Sequence, residues 1–315
     1  FHQVDYLQKN GYQVKILTQK SSSNLPASQI INHCQVNRFS FKKARFLGLL
    51  TIWWQMIFRY WQFIQEADLI HVHDVMIWLL PIRLLFPRKK MILTMHGWEG
   101  DYPLPKKNIF LKKVSVLMAN KVICVGEYIC KHYQIKCDLV IEGGVKLEKP
   151  QNISIKKNQL LVLGRLEEDT GLTWFLDLTN PKNSHSFQKI IFVGDGQLHQ
   201  RAKKVGEVRG WLPEKQVNNL LAESSWCLAS GYLSALEALS NGCQVMAIAN
   251  NPLKQDYWQK SKLNNRIHLV ITQQQLQKLL KQIGQGQVKN RTVPADWLEQ
   301  FSWKRVMGEC ERLYH

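Results

Sequence analysis

The sequence predicts an α/β fold made of two doubly wound domains, in which parallel strands alternate with helices. A helix with leucines at helical spacing ends at Asn241 and Gly242 and runs directly into the apolar strand Gln244–Ala249. Two more apolar strands, Leu160–Leu163 and Ile190–Val193, each break into a glycine turn. A chain of 315 residues, of which 45% are hydrophobic, can bury a core in each of two domains.

The N-terminal half shows the same alternation of elements. It begins with a helix in FHQVDYLQKN, and helices separate five predicted strands, which are Tyr12–Thr18, Leu69–Val72, Met91–Met95, Lys121–Val125 and Leu139–Ile141. The polar stretch LEKPQNISIKKNQ after Val145 has no periodicity and predicts a linker. We therefore expect domains at 1–148 and 149–296, followed by a final helix at 297–315. The first residue is not methionine, and the opening helix has no strand before it, so we expect a fragment without its first strand.

One long amphipathic helix is predicted over Phe46–Ile64. Polar residues recur every three or four positions, namely Thr51, Gln55, Arg59, Gln62 and Glu66. A helix that crosses a membrane rarely carries such a stripe, whereas an amphipathic helix does. Its apolar side either packs into the core of the first domain or docks at a membrane surface, and both arrangements can apply to the same helix.

The chain is strongly basic. It has 42 Lys and Arg against 24 Asp and Glu, a net charge of +18, which predicts a polyanionic partner. The basic residues lie beside bulky apolar ones, which favours an anionic membrane surface; they are Lys42, Lys43, Arg45, Arg83, Arg88, Lys89, Lys90, Lys106, Lys107, Lys112 and Lys113. No nucleic-acid-binding module is visible, so nucleic acid is not expected as a partner. A basic scaffold or nucleic-acid-binding protein is nevertheless the alternative from another functional class.

The glycine turns at the strand ends predict a phosphate site. GRLEEDTG (Gly164–Gly171) follows one strand and GDG (Gly194–Gly196) follows the next. Glycine allows a close approach of backbone N–H groups to a phosphate, and Arg165 offers a permanent cation whose fork geometry suits a pyrophosphate. Glu237, in the helix that ends at Asn241, is placed to face hydroxyl-rich ligands at the edge of the sheet.

The ordered set of motifs resembles family 4 of the retaining, nucleotide-sugar-dependent glycosyltransferases. The matching segments are Ala67–Asp74, Thr94–Pro103, Ala119–Ile129, Ile141–Val145, Gly164–Leu166 with Gly171, Gly194–Gly196, Leu236–Ala238 and Phe301–Trp303. The resemblance covers nearly the whole chain. It implies the GT-B fold, in which two Rossmann-like domains face a central cleft and a C-terminal helix crosses back to the first domain.

The resemblance also implies roles for particular residues. The implied donor-binding residues are Gly164, Arg165, Gly194, Asp195, Gly196, Ser234 and Glu237, and we expect Thr170 and Lys254 to lie at the same donor site. The implied catalytic residues are His96, Arg165 and Glu237. His96 would contact the donor sugar near its anomeric carbon, Arg165 and the helix N-terminus near Ser234 would stabilise the leaving diphosphate, and Glu237 would bind ribose hydroxyls.

The loop after His96 carries acceptor-side candidates. Glu99 and Asp101 would orient or deprotonate an acceptor hydroxyl, or they form a solvated acidic turn. For His96 itself, the alternative is a loop histidine that is satisfied by hydrogen bonds to the backbone.

Two positions depart from the family pattern. Thr170 stands where the family usually has a lysine, and Ala229 stands where it usually has the first of two glutamates. Asn251, Lys254 and Asp256 follow the next strand and would compensate if they reach the same crevice; the alternative is an ordinary polar loop. The departures indicate either a different donor preference or a degenerate member that binds nucleotide-sugar without efficient transfer.

We therefore expect a cytoplasmic protein, peripheral at the inner membrane face. It would transfer a sugar with retention from a nucleotide-diphosphate donor to a lipid-linked or surface-glycan acceptor, and the resemblance implies no cofactor. HVHD places His71 and His73 on one face of a strand, but no metal site is predicted. The 7 cysteines are odd in number and form no Cys-x-x-Cys pair, which predicts reduced thiols rather than disulfides.

Overall fold

Two parallel sheets with helices on their faces form most of the protein, which confirms the predicted α/β class. The computed structural model describes residues 2–41, 45–147, 156–179, 186–291 and 293–315. We call residues 2–147 the N-terminal half and residues 156–291 the C-terminal half. Each half contains one of the sheets and buries its own apolar clusters.

The N-terminal half contains a small sheet and a four-stranded parallel sheet. Its elements are α1 (His2–Lys9), β1 (Lys15–Gln19), β2 (Ser28–Ile31), β3 (Cys34–Phe39), α2 (Arg45–Phe58), α3 (Trp61–Gln65), β4 (Leu69–His73), a 3-10 turn (Met76–Leu79), α4 (Leu80–Leu85), β5 (Lys90–Met95), α5 (Lys106–Met118), β6 (Lys121–Val125), α6 (Glu127–Tyr133) and β7 (Leu139–Ile141). The four-stranded sheet has the order β4-β5-β6-β7. In the small sheet, β3 pairs in parallel with β1 and antiparallel with β2.

The C-terminal half is built on a six-stranded parallel sheet of order β10-β9-β8-β11-β12-β13. Its elements and those of the C-terminal segment are β8 (Lys157–Leu163), a 3-10 turn (Glu168–Thr170), α7 (Leu172–Leu178), β9 (Lys189–Val193), α8 (His199–Ala202), β10 (Glu207–Val208), α9 (Glu214–Glu223), β11 (Ser224–Ala229), α10 (Tyr232–Ser240), β12 (Gln244–Ile248), α11 (Pro252–Gln259), a 3-10 turn (Asn264–Arg266), β13 (His268–Val270), α12 (Gln273–Gly284), α13 (Ala295–Glu299) and α14 (Trp303–Glu311). Because β8 already begins at Lys157, it takes up the end of the stretch that was predicted as a linker.

The helix predicted over Phe46–Ile64 is in fact two helices, α2 and α3, separated at Arg59 and Tyr60. Its polar stripe does not face solvent throughout, because Gln55 is buried and donates to the backbone carbonyl of Ser40 at 2.9 Å. The buried side of α2 packs into the N-terminal core. No helix in the described parts of the chain has the length and apolar character needed to cross a bilayer.

Helix α14 packs against the N-terminal half. Tyr6 of α1 donates a hydrogen bond to the Glu311 carboxylate at 2.9 Å. Met307 and Cys310 share an apolar cluster with Ile92 of β5. The final segment of the chain therefore braces the first sheet.

Helix α11 is shared between the two halves. Leu253 is buried in the main N-terminal cluster, whereas Trp258, on the same helix, is buried in a C-terminal cluster. Asp256 reaches across to Lys131 Nζ at 2.6 Å and His132 Nε2 at 2.7 Å, both on α6. Apolar and polar contacts thus join the two halves along this helix.

Candidate active site

Loops that follow the carboxyl ends of strands in the two halves meet in a cleft. Gly100, after β5, lies against Asp169, after β8, so that a methyl group on Gly100 would approach Asp169 Oδ2 to 3.6 Å. Nearby, a side chain on Gly143, after β7, would overlap Leu233 at the start of α10. Ligands of open α/β sheets bind at this edge, so the cleft is the candidate active site.

The two glycine turns pack against each other at the C-terminal wall of the cleft. Gly164 and Gly194 have φ values of +122° and +134°, and a Cβ on Gly194 would collide with the Gly164 carbonyl. Their N–H groups donate to backbone carbonyls at 2.9 and 2.8 Å. The N–H of Gly196 donates to the Asp195 carboxylate at 2.8 Å. These N–H groups are already paired, so binding of an anion here depends on side chains.

Two cations, Arg165 and Lys254, lie beside Asp169. Arg165 Nη2 contacts Asp169 Oδ2 at 2.6 Å, while the Arg165 side chain stays 58% exposed. Lys254 is only 5% exposed, and among the described residues its Nζ has no hydrogen-bond partner; Asp169 Oδ1 is likewise buried and unpartnered. Burial lowers the pKa of Lys254 to about 8, opposed by the Asp169 carboxylate and reinforced by the charge of Arg165. Because a buried ammonium without a partner is unfavourable, this arrangement favours an incoming anion.

Thr170 and Ser234 use their hydroxyls within their own turns. Thr170 is buried and donates to the Glu167 carbonyl at 2.6 Å, so it does not take the place of a lysine in the cleft. Ser234 Oγ donates to the Gly231 carbonyl at 2.8 Å and accepts from the Gly231 N–H at 3.2 Å. Both side chains therefore shape the C-terminal wall of the cleft and leave its positive charge to other residues.

Of the three possible replacements named from the sequence, Lys254 brings a buried Nζ that has no hydrogen-bond partner among the described residues. The Asn251 side chain caps α11 by accepting from the Lys254 N–H at 2.9 Å. Asp256 is occupied by Lys131 and His132 at the junction of the two halves. The structure thus places a lysine beside Arg165, although not at position 170.

His96 lies at the end of β5, on the N-terminal side of the cleft. Its ring Nε2 lies 2.7 Å from His73 Nδ1, and the two rings stack with centroids 5.0 Å apart. The His96 N–H donates to Asp74 Oδ1 at 2.9 Å. Burial lowers the pKa of His96, and the nearby charge of Lys112 lowers it further, against the opposing effect of Asp74. The imidazole is therefore neutral near pH 7.

A second histidine continues this stack into the protein. His71 stacks on His73 with ring centroids 4.6 Å apart. Its Nε2 lies 2.7 Å from Thr94 Oγ1 and its Nδ1 lies 2.9 Å from the Tyr314 hydroxyl. Burial lowers the pKa of His71 to about 3 and that of His73 to about 4. The HVHD segment therefore supports His96 from behind.

Glu99 and Asp101 differ sharply in their surroundings. The Glu99 carboxylate accepts from the Tyr133 hydroxyl at 2.5 Å and lies 3.4 Å from both Lys112 Nζ and Asn108 Nδ2. It therefore anchors the loop that carries His96. Asp101 is exposed and makes no hydrogen bond or ion pair with another described residue. Of the two, Asp101 has the freer carboxylate for an acceptor hydroxyl.

Glu237 is half-buried on α10. Within the described chain its carboxylate makes no hydrogen bond or ion pair. Burial raises its pKa, and Glu214 at the start of α9 raises it further. A free carboxylate in this position can accept hydrogen bonds from hydroxyl groups, and its role as a ribose ligand stays a prediction.

Trp211 is a candidate that the sequence reasoning missed. Its side chain is 71% exposed, and it follows Gly210, whose carbonyl accepts the Gly194 N–H at 2.8 Å. The indole therefore lies next to the GDG turn, just before α9. The sequence signal for it is an aromatic residue in the polar turn RGWLPE, outside any apolar periodicity.

Comparison with known proteins agrees with this architecture. The sequence model of Glycosyltransferase Family 4 matches residues 1–148. No sequence among the curated proteins matches the chain.

Solved structures resemble the chain over nearly its whole length. A glycosyltransferase from Rickettsia africae ESF-5 superposes with a TM-score of 0.67 at 14% identity, covering 99% of this chain and 92% of that one. An E. coli structure described as trehalose-6-phosphate bound with UDP-2-fluoro glucose gives a TM-score of 0.67 at 9% identity, with coverage of 99% and 94%. The apo form of the lipopolysaccharide outer core galactosyltransferase WaaB gives a TM-score of 0.61 at 13% identity, with coverage of 96% and 99%. Over residues 1–148 the chain is therefore similar to Glycosyltransferase Family 4, and as a whole it has the GT-B fold.

Proposed function

We propose that the chain is a retaining glycosyltransferase that moves a sugar from a nucleotide-diphosphate donor to a lipid-linked or surface-glycan acceptor at the cytoplasmic face of a membrane. The observation that supports this most is the buried, unpartnered ammonium of Lys254 beside Arg165. Two cations at the carboxyl edge of a parallel sheet match the charge of a diphosphate. Lys254 thereby takes the role of the family's lysine, which is absent at position 170.

The cleft suits a mechanism that needs no protein nucleophile. The bond between the anomeric carbon and the diphosphate breaks, and the bond from that carbon to the acceptor oxygen forms on the same face of the sugar. The acceptor proton goes to an oxygen of the leaving diphosphate. Arg165 and Lys254 stabilise the negative charge that develops there. Ala229, at the position of the missing glutamate, offers no carboxylate for a double displacement.

His96 would contact the sugar as a neutral group. Its lowered pKa keeps the ring uncharged near pH 7, and the neighbouring His73 nitrogen fixes its orientation. A neutral imidazole can donate or accept one hydrogen bond at the sugar without adding a charge that would oppose an oxocarbenium-like transition state.

The direct test is calorimetric titration of the chain with UDP, GDP, ADP, dTDP and their common sugar conjugates. We expect selective binding of one nucleotide, which Arg165→Ala weakens about tenfold or more because it removes a charge-assisted contact. Selective binding without any transfer to acceptor would indicate the degenerate family member. No binding to any nucleotide would remove the support for a donor site.

Trp211 is expected to stack on the base of the donor. Base–aromatic stacking contributes about 1–3 kcal/mol, so Trp211→Ala should raise the Kd of the preferred nucleotide about 5- to 150-fold. Trp54→Ala is the matched control, since Trp54 is also an exposed tryptophan but lies on α2. Equal affinities of the wild type and Trp211→Ala would place the base elsewhere.

The surface of the N-terminal half supports membrane docking. Helix α2 exposes Leu47, Leu50, Trp54 and Phe58, between 41% and 69% each, along one face. Helix α4 packs beside α2 and exposes Leu84 and Leu85. Lys42 and Lys43 lie outside the described residues, and the side chain of Arg45 is not described. Residues 45–65, 76–90 and 104–122 together contain eleven Lys and Arg and no Asp or Glu. An apolar face on α2 and α4, in segments that contain basic and no acidic residues, matches an anionic bilayer.

Removing the two aromatic rings of α2 should weaken membrane binding. In Trp54→Ser/Phe58→Ser we expect the partition coefficient to vesicles containing phosphatidylglycerol to fall about tenfold or more, because two bulky apolar groups no longer leave water. Sedimentation with the vesicles measures this, and Trp211→Ser serves as the control. Equal partition of both variants would show that the α2 face does not contact lipid.

A further inference from the structure

Three cysteines converge on one side of the N-terminal sheet. Cys124 lies on β6, Cys130 on α6, and Cys137 in the loop before β7. Their Sγ atoms all lie within 4.8 Å of one another, and Cys137 Sγ is in disulfide contact with each of the other two. The prediction of reduced thiols rather than disulfides did not include this convergence. No sequence motif predicts this cluster, because spacings of 6 and 7 residues match no metal or redox motif.

No pairing of the three thiols uses all of them. A sulfur atom forms a single disulfide bond, so a bond from Cys137 to either partner leaves the third thiol beside it. The Cα atom of Cys137 lies 6.2 Å from the Cα atom of Cys124 and 6.6 Å from that of Cys130. These distances also allow the three side chains to bind one ion. A soft metal ion is a partner that engages all three sulfurs at once.

We propose that Cys124, Cys130 and Cys137 form a thiolate site for Zn²⁺. Zinc binds cysteine sulfur at about 2.3 Å in tetrahedral geometry, which separates neighbouring sulfurs by about 3.8 Å. The three Sγ atoms lie within 4.8 Å of one another, so small rotations of the side chains reach that separation. Binding releases three protons from the thiols and changes no oxidation state. Cys130 and Cys137 are only partly buried, so water can occupy the fourth position.

The site would hold α6 in place. This helix presents Lys131 and His132 to Asp256 of α11, at the junction of the two halves. Its Cys130 would be joined through the ion to the sheet and to the loop that follows the helix. The expected role is structural, because the three sulfurs lie among residues of the N-terminal core.

The test is a metal titration of the whole chain, purified with a reductant and freed of metal by a chelator. We expect one Zn²⁺ per chain that is retained through gel filtration and raises the Tm. Co²⁺ should give the absorption bands of thiolate coordination. Cys130→Ser should weaken Zn²⁺ binding about tenfold or more and abolish the rise in Tm. The matched control is Cys227→Ala, which removes a buried thiol outside the cluster.

Three results would overturn the proposal. One is the absence of stoichiometric Zn²⁺ in the reduced protein. Another is equal Zn²⁺ affinity in the wild type and Cys130→Ser. The third is a stable disulfide from Cys137 to Cys124 or Cys130 that persists in the reductant, detected by mass spectrometry after alkylation. Cys137→Ser repeats the measurement if Cys130→Ser fails to fold.

Discussion

Replacing Lys254 by methionine is expected to raise the Kd of the preferred nucleotide diphosphate about 10- to 150-fold. The change keeps the apolar length of the side chain and removes one charge-assisted contact, which contributes about 1.5–3 kcal/mol. Calorimetry measures the Kd. The variant should be at least as stable as the wild type, because a buried ammonium without a partner is lost. Lys278→Met, an exposed lysine on α12, is the matched control.

The same lysine predicts how binding depends on pH. Burial lowers the pKa of Lys254 to about 8, so the ammonium is charged below that pH and neutral above it. The affinity for a diphosphate should therefore fall as the pH rises through about 8. An arginine stays charged over this range, and Lys254→Arg should flatten the pH profile. A wild-type profile that is flat from pH 7 to about 9.5 would mean that Lys254 does not contact the anion.

His96→Ala is expected to lower kcat about 10²- to 10³-fold, the usual loss when one preorganised hydrogen-bonding group near the reacting carbon is removed. The Kd of the free nucleotide diphosphate should change little, because His96 lies on the N-terminal side of the cleft and the two cations lie on the C-terminal side. His96→Gln keeps a hydrogen-bond donor and should recover part of the rate. A parallel loss of nucleotide affinity in His96→Ala would instead indicate that the loop had collapsed.

The strands that position the site were largely predictable, since buried parallel strands appear as short apolar runs. Leu69–Val72, Met91–Met95 and Lys121–Val125 each lie within one residue of the observed bounds. Strand β11 was missed, although it is central to its sheet, because SSWCLA follows α9 without any turn residue. β2 and β3 were missed because their polar side chains hide the strand pattern.

The candidate site was predictable in its positions but not in the state of its side chains. The sequence placed Arg165 and Lys254 after the ends of two apolar strands, yet only the fold shows that one ammonium is buried without a partner. Glu99 looked available in the sequence, yet it accepts a hydrogen bond from Tyr133, which is near it only in space. Thr170 is held within its own turn by the Glu167 carbonyl. The cysteine cluster was not predicted either, because only folding brings β6, α6 and the following loop together.

Helix α11 contributes a buried side chain to each of the two halves, and this links their folding. Leu253 completes one core and Trp258 completes the other, so neither core can form fully without this single helix. Melting of one half would expose apolar surface in the other and lower its stability at the same time. The two halves should therefore unfold together in one cooperative transition, and a shortened chain that ends before α11 would leave the pocket of Leu253 open to aggregation.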